Sequence, residues 1–533
     1  EGDAGEETTH AATAAGPASR TPEEVEKWLA SLVAAKVGGD ASAFDLSRPL
    51  SAYCLDSLAA IELTHAVETG VGVALPMVSF LQEQSLAELA AQILARAGEA
   101  EPHVPTLADA EAADTHPLSF GQKAMWFLYK LAPESPAYNI AVPVRVRTAL
   151  DTSALRRAFE TLVARHASLR TTFAAPDGEP LQRVHAHAEV DFAETDATLW
   201  EEATLRARLS GEANRPFNLE EEPLLRVRLY RRSEREHVLL LVVHHIVADF
   251  WSLDVLMREL GVAYKAEREG RSAELPPLRQ SYTDYVRWQA AMLASPAGEA
   301  LRSYWERQFD GELPVLDLPS DRPRPPVQTF KGASESVRLD AELSRALKAI
   351  GQAHGATLYV TLLAAFQVLL SRYTGQEEVV VGSPTAGRSR SELTGMVGYF
   401  VNPVALRVRL HGRPDFAEVL TRVRRVVLSA FAHQDYPFVR LVEQLQPVRD
   451  PSRTPLFQVA FVLQKAHLRG SEGLASFALG EEGARADIEG LPLESIALEQ
   501  RVTQFDLTLM VAEEEAGLAA SLQYNTDLFD AAT

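Results

Sequence analysis

Two short stretches of this chain bring together side chains suited to group transfer. The first is Tyr53-Cys54-Leu55-Asp56-Ser57-Leu58, where a serine follows an aspartate at the head of a helical run that continues to Gly70. Taken alone, Asp56 and Ser57 make an ordinary helix N-cap. The position also suits a covalent phosphate, because a helix start presents unpaired N–H groups and the positive end of the helix dipole. A serine there can carry a phosphodiester. The second stretch is the apolar run Val238–Val243, which ends in His244 and His245, followed by Asp249 in a short loop.

Three readings of the second stretch compete. The histidines could be structural, filling space at the end of a buried strand. They could bind metal, but neighbours on a strand point to opposite sides and no H-E-x-x-H spacing is present. They could serve acyl transfer, one entering a cleft and the other packing inward, since an imidazole with a pKa near about 6.5 can deprotonate or orient an amine near neutral pH. The catalytic candidates are therefore His244, His245 and Asp249. Asp249 would either orient His245 or hold the loop through a buried arginine.

Elements must position these groups. After the histidine pair, Ser252 reads as the N-cap of a helix with Leu253, Leu256, Leu260 and Tyr264 on one side. Residues 21–98 read as a small helical bundle. Thr21 and Glu24 form a capping box with Pro22 at the first helical position, Asp56 opens a second helix that Gly70 closes, and Ser85 with Glu88 opens a third that stops at Gly98. Residues 1–20 lack periodicity and read as a flexible leader, and the acidic, Ala-rich 99–115 with two prolines reads as a linker. From 116 onward helical stretches such as 152–166 alternate with apolar runs at 140–147, 224–230, 237–243, 378–382 and 401–409, a mixed α/β pattern. The Pro-rich 313–326 suggests an extended crossing between two lobes.

Composition bounds the function. The 533 residues call for two to four domains or lobes. Lys and Arg number 52 against 73 Asp and Glu, a net charge of −21 without a basic patch, so nucleic acid is not an expected partner. Cys54 is the single cysteine, which allows no internal disulfide or Cys-based zinc site and points to a reducing, cytoplasmic setting. The N-terminus has no signal pattern, and the longest apolar run is far too short for a membrane span. Neither metal nor membrane is expected. The chain begins without Met and reads as a piece of something longer.

The motifs also carry resemblances. The DSL triplet, the helix after it and the surrounding bundle, residues 21–98, resemble acyl and peptidyl carrier proteins, and the wording LDSLAAIEL looks closer to polyketide-type carriers. That resemblance implies that Ser57 carries 4′-phosphopantetheine, added by a phosphopantetheinyl transferase. Cys54 stands where the family's motif has glycine. The HHxxxD run resembles the condensation domains of nonribosomal peptide synthetases, relatives of chloramphenicol acetyltransferase. Further motifs follow in the family's order: LSFGQKAMWFL at 118–128, RHASLRTTF at 165–173, YTDYVRWQ at 282–289, VGSPTAGR at 381–388, VGYFVNPVALR at 397–407, HQDYPFVRLVE at 433–443 and SRTPLFQVAFV at 452–462.

The fold so implied is a small four-helix carrier bundle followed by an α/β condensation domain of two acetyltransferase-like lobes in a V, here 116–289 and 290–533, with a tunnel between them. The resemblance makes His245 the active histidine and Asp249 a structural residue paired with an arginine, for which Arg388 is the candidate. Phe250 replaces the family's usual glycine and, with Trp251, is expected on the tunnel's acceptor side. The implied reaction joins the acyl or peptidyl group on Ser57 to the amine of a downstream aminoacyl carrier, with an upstream synthase module as supplier. Ester formation, an inactive recruiting domain and epimerisation are the competing readings. Trp126, Phe127, Tyr285, Trp288, Tyr304 and Trp305 are expected in the core or lobe interface, Arg165, His166 and Arg170 in a hydrogen-bonded cluster, and Asn402-Pro403 in a turn.

Overall fold

The computed structural model describes residues 21–37, 45–53, 57–71, 73, 75, 77–80, 84–96, 114–448, 450–464, 477, 479–514 and 517–533. The expected leader, Cys54, Asp56, the stop at Gly98 and nearly all of the expected linker lie outside the described residues. Two compact units emerge, residues 1–102 and 103–533.

The first unit holds the helices Pro22–Val37, Ser57–Val71 and Leu86–Arg96, with 3-10 turns at Leu50–Tyr53 and Met77–Phe80. Two of the helix starts are closed as the capping residues require. Thr21 N–H donates to Glu24 at 2.8 Å, and Ser85 N–H donates to Glu88 at 2.8 Å, with each Glu N–H returning to the hydroxyl. The second helix does not close at Gly70 but runs through it to Val71. A Cβ at Gly70 would lie 2.4 Å from the Trp28 ring, so this glycine admits a close helix–helix contact rather than ending the helix.

The second unit is built on two six-stranded sheets. In the first, the strands lie in the order Arg485–Ile488, Leu491–Ser495, Asn139–Val146, Glu236–His244, Leu225–Ser233 and Asp191–Asp196. In the second the order is Asn402–Arg409, Glu378–Thr385, Val459–Gln464, Leu507–Glu514, Gly517–Asn525 and Gly332–Asp340. Strand Glu236–His244 is buried along both faces from His237 to His244, which is why its sequence is continuously apolar instead of alternating. The hairpin Arg485–Ser495 comes from late in the chain yet pairs with Asn139–Val146, so the first sheet is completed by sequence beyond the expected first lobe.

Three local readings change. Asn402 opens strand Asn402–Arg409, opposite Thr385, and is not a turn; its side-chain amide donates to Gln434 O and Tyr436 O and its oxygen accepts from Phe438 N–H. The Pro-rich 313–326 is extended, but its partners Gln376, Gln458, Asp506 and Leu528 all belong to the later part of the chain, so it runs along the second lobe. Phe127 is 66% exposed rather than core, whereas Trp126, Tyr285, Trp288 and Trp305 are buried. Among the described residues no single helix is long and apolar enough to cross a membrane; one pair, Ala341–Ala353 and Leu358–Thr374, passes together but is bent by 99°.

Candidate active site

The apolar strand delivers His244 as its last residue and His245 into the turn that follows. The two rings part there. His244 is buried edge-on to Phe217, over whose ring Arg226 also stacks, and its Nδ1 accepts the Ile246 N–H at 3.1 Å. Burial, with the charges of His245 and Arg226 adding to it, pushes its pKa down to about 3, so it stays neutral. The pair thus divides into a wall residue, His244, and a more exposed one, His245.

His245 is partly exposed. Its ring stands edge-on to Tyr399, centroids 5.2 Å apart, and to Phe250 at 6.4 Å. Nδ1 lies 2.8 Å from the Ala248 carbonyl oxygen. A carbonyl only accepts, so Nδ1 carries the proton and Nε2 keeps its lone pair. Burial lowers the pKa below the usual imidazole value, against the opposing pull of Asp249 and the Ala248 carbonyl. The ring is neutral at pH 7 and able to accept a proton.

Asp249 does not touch His245. It caps helix Phe250–Arg268, accepting the Ser252 N–H at 2.8 Å, so the cap is Asp249 and Ser252 sits inside the first turn. The aspartate accepts where serine was expected to because its carboxylate has acceptors to share. One oxygen takes the Ser252 N–H and hydroxyl, and the other takes Arg388 Nη1 at 2.7 Å and the Phe400 N–H at 3.1 Å. Both side chains of the pair are essentially inaccessible, 1% for Asp249 and 0% for Arg388. Burial alone would raise the Asp249 pKa; Arg388 and the Ser252 bonds overcome this and hold it below the usual carboxylate value.

Arg388 follows strand Glu378–Thr385 of the second sheet, so the pair ties the two sheets together. Its other nitrogens donate to Ser252 Oγ, Met396 O and Leu393 O, and its plane lies 4.1 Å from the Phe400 centroid. Gly387 before it has φ +64 and a Cβ there would fall 1.8 Å from Phe400 O, so only glycine lets the arginine turn inward. Trp251, expected on the tunnel side, is instead buried with its indole N–H on Thr394 O, and it reinforces the same junction. Phe250 is the first residue of the helix, beside His245.

Other sequence candidates fall outside the reacting centre. Arg165 and His166 converge on the buried Glu259, and Arg170 donates to Val163 O. Tyr304 stacks on His433 at 3.8 Å. Gln458, which the sequence assigns no role, pins the extended segment by accepting Leu316 N–H. Residues that the sequence did not single out are Ser252 as a polar hub, Tyr399 against His245, and Tyr138, whose carbonyl accepts the His245 N–H at 2.8 Å and whose phenol burial pushes up to about 12. The signal for Ser252 was its three-residue spacing from Asp249; Tyr399 carried none. Among the described residues no group of three His, Cys, Asp or Glu is placed to share a metal ion.

In the first unit Ser57 is the first residue of helix Ser57–Val71, whose first turn carries no acidic side chain. The positive end of the helix dipole at that position favours a phosphodiester, so the helix start fits the phosphopantetheine group.

Two acetyltransferase-like lobes joined at a buried aspartate–arginine pair, with a neutral histidine displayed beside it, define an acyltransferase of the condensation type. Sequence comparison agrees: residues 112–533 match the condensation domain family and residues 27–93 the phosphopantetheine attachment site family. The chain belongs to the condensation-domain family of nonribosomal peptide synthetases, with a carrier domain ahead of it. It is 41% identical over 427 residues to the chondramide synthase of Chondromyces crocatus, covering 79% of this chain and 10% of that protein. It is 36% identical over 514 residues to surfactin synthase subunit 1 of Bacillus subtilis (strain 168), covering 96% of this chain and 13% of that protein. The chain therefore spans a small fraction of these relatives. Among solved structures, the X-domain from teicoplanin biosynthesis superposes with a TM-score of 0.72 at 29% identity, over 80% of this chain and 93% of that one. A four-domain nonribosomal peptide synthetase bound to AMP and glycine gives 0.71 at 26%, over 80% of this chain and 32% of that one.

Proposed function

We propose that this segment forms an amide by transferring an acyl or peptidyl group from Ser57 to the amine of a downstream carrier-bound aminoacyl group, with His245 at the centre. The observation that carries it is the His245 geometry: Nδ1 tied to Ala248 O, Nε2 without a hydrogen bond among the described residues, the ring neutral at pH 7. Attached to Ser57 by a phosphopantetheinyl transferase, the phosphopantetheine arm supplies the thiol on which the acyl group rides as a thioester. His245 Nε2 orients the incoming amine and takes the proton it sheds as the C–N bond forms, then returns that proton to the sulfur released when the C–S bond breaks. The backbone N–H of Phe250, at the helix start, is the candidate donor to charge developing on the acyl oxygen. Phe250 and Tyr399 flank the ring edge-on and fix its position. Asp249 and Arg388 act on structure, holding the His245 loop against the second sheet. Much of the rate would come from bringing two tethered reactants together. The lone cysteine supports a reducing, cytoplasmic setting, and an upstream module would supply the acyl group.

The test is acyl transfer followed by intact mass. Ser57 is loaded with an acyl-phosphopantetheine arm and an amine-bearing acceptor carrier is added, alongside His245→Ala. Transfer by the parent and its loss in the variant support the reading. Loading without transfer across a range of acceptors would instead favour a recruiting domain.

A further inference from the structure

At the end of strand Asn402–Arg409 farthest from Asn402, a cavity of about 340 Å³ opens between that edge strand and the helices Pro296–Gln308 and Phe416–Ala432. Tyr399, which packs on His245, comes just before Asn402, and the cavity lining begins at Arg407, five residue steps or about 16 Å further along the strand, so the cavity lies apart from His245. Five arginines line it, Arg307, Arg407, Arg409, Arg422 and Arg425, together with His411, and no carboxylate does. In a chain of net charge −21 that concentration of like charge is out of character.

The arginines divide by what they already hold. Arg407 is buried and fully engaged: Nε donates to Glu378 at 2.8 Å, and its terminal nitrogens donate to the carbonyls of Gln308, Asp310 and Glu312. Arg422 donates to the carbonyls of Arg409 and His411 and pairs with Glu418. These two fix the backbone walls. Arg409 gives only its Nε, to the Glu378 oxygen that Arg407 already uses. Arg307 and Arg425 are exposed, and their guanidinium groups make no hydrogen bond or ion pair with any described residue. A braced wall therefore presents the terminal nitrogens of Arg409 and the whole guanidinium groups of Arg307 and Arg425 to one concave space. Mutual repulsion between these cations is relieved by an anion, and planar guanidinium forks match phosphate oxygens in geometry and charge.

We propose that this cavity is a binding site for a phosphate-bearing anion, distinct from the acyl-transfer site and independent of how that site works. The concave shape favours a compact ligand, either free phosphate or pyrophosphate or the phosphomonoester end of a larger molecule. Thermal stabilisation and calorimetry on the whole chain, at constant ionic strength, would use inorganic phosphate, pyrophosphate and phenyl phosphate, with succinate as a carboxylate control and sodium chloride as the salt control. Saturable binding of at least one phosphate probe, stronger than succinate, is expected. Preference for phenyl phosphate over pyrophosphate would assign the monoester source, and the reverse preference the free anion. Arg307→Gln with Arg425→Gln should weaken binding by roughly tenfold or more, the worth of one charge-assisted hydrogen bond. Both residues are exposed, so the variant should keep the parent's melting temperature without ligand; Arg425→Gln alone serves if it does not. His245→Ala should bind as the parent does. Binding that the arginine variants leave unchanged, stabilisation that sodium chloride reproduces, or no saturable binding of any phosphate probe would each overturn the proposal.

Discussion

At the scale of single residues, the proposed chemistry rests on one ring whose tautomer is set by a backbone carbonyl. His245 has its pKa lowered by burial, so its neutral form persists to more acidic pH than a free imidazole's. The acid limb of the acyl-transfer rate should therefore be centred below about pH 6.5, the value of an unperturbed imidazole. A pH–rate profile under acceptor saturation checks this, and an acid limb centred above about 6.5 would contradict it. Tyr399 offers a second test. Gly121, in the first turn of helix Phe120–Leu131, leaves room for the Tyr399 ring, and a Cβ there would come within 2.6 Å of it. Gly121→Ala should push that ring against His245 and cut the transfer rate by up to about a hundredfold, as displacements near 1 Å can, while leaving Ser57 loading intact. Loading and transfer read separately by mass distinguish the two.

At the scale of elements, helix Phe250–Arg268 and strand Glu378–Thr385 are held together by Asp249, Ser252 and Arg388. Removing one member leaves the other charged and buried. Asp249→Ala or Arg388→Ala should each cost about 3–5 kcal/mol of stability, measured by urea unfolding. The double variant should cost less than the sum of the two, because the second removal strands no further charge. Additive costs would show that the two residues do not act as a unit. The individual helices are legible in the sequence because their caps are local: Thr21 with Glu24 and Ser85 with Glu88 behave as their spacing demands. Ser252 reads as the cap on spacing alone because Asp249 has a competing role that local spacing cannot reveal, namely its bond to a residue 139 positions away.

At the scale of the whole second unit, stability should depend on pH through the histidine pair. Both pKa values lie below the unfolded value of about 6.5, His244 at about 3, so the unfolded chain binds more protons in acid. Their contribution is complete above about pH 6.5 and is lost as the pH falls toward the folded values, at up to about 1.4 kcal/mol per pH unit for each group. Urea midpoints at about pH 7.5 and about pH 5 should differ accordingly, and His244→Gln should reduce the difference. An unchanged difference in that variant would sink the assignment. The hairpin Arg485–Ser495 adds a second expectation at this scale. Because late sequence completes the early sheet, the two lobes should unfold in one transition, and hydrogen exchange should show Asn139–Val146 and Leu507–Glu514 opening together.

The order of the carrier and condensation domains and their families were legible in the sequence, as were the candidate histidine and serine, because each is written in contiguous motifs. Residues close along the chain impose their geometry through caps, strand alternation and turns, without help from distant partners. The tertiary structure decided the rest: that His244 faces Phe217 and not the cleft, that Trp251 braces the lobes, that Tyr399 closes on His245, and that Arg485–Ser495 belongs to the first sheet. These depend on pairings across more than a hundred residues or on which face of a turn is covered. Such pairings are selected by burial and shape in the assembled core, and no local pattern records them.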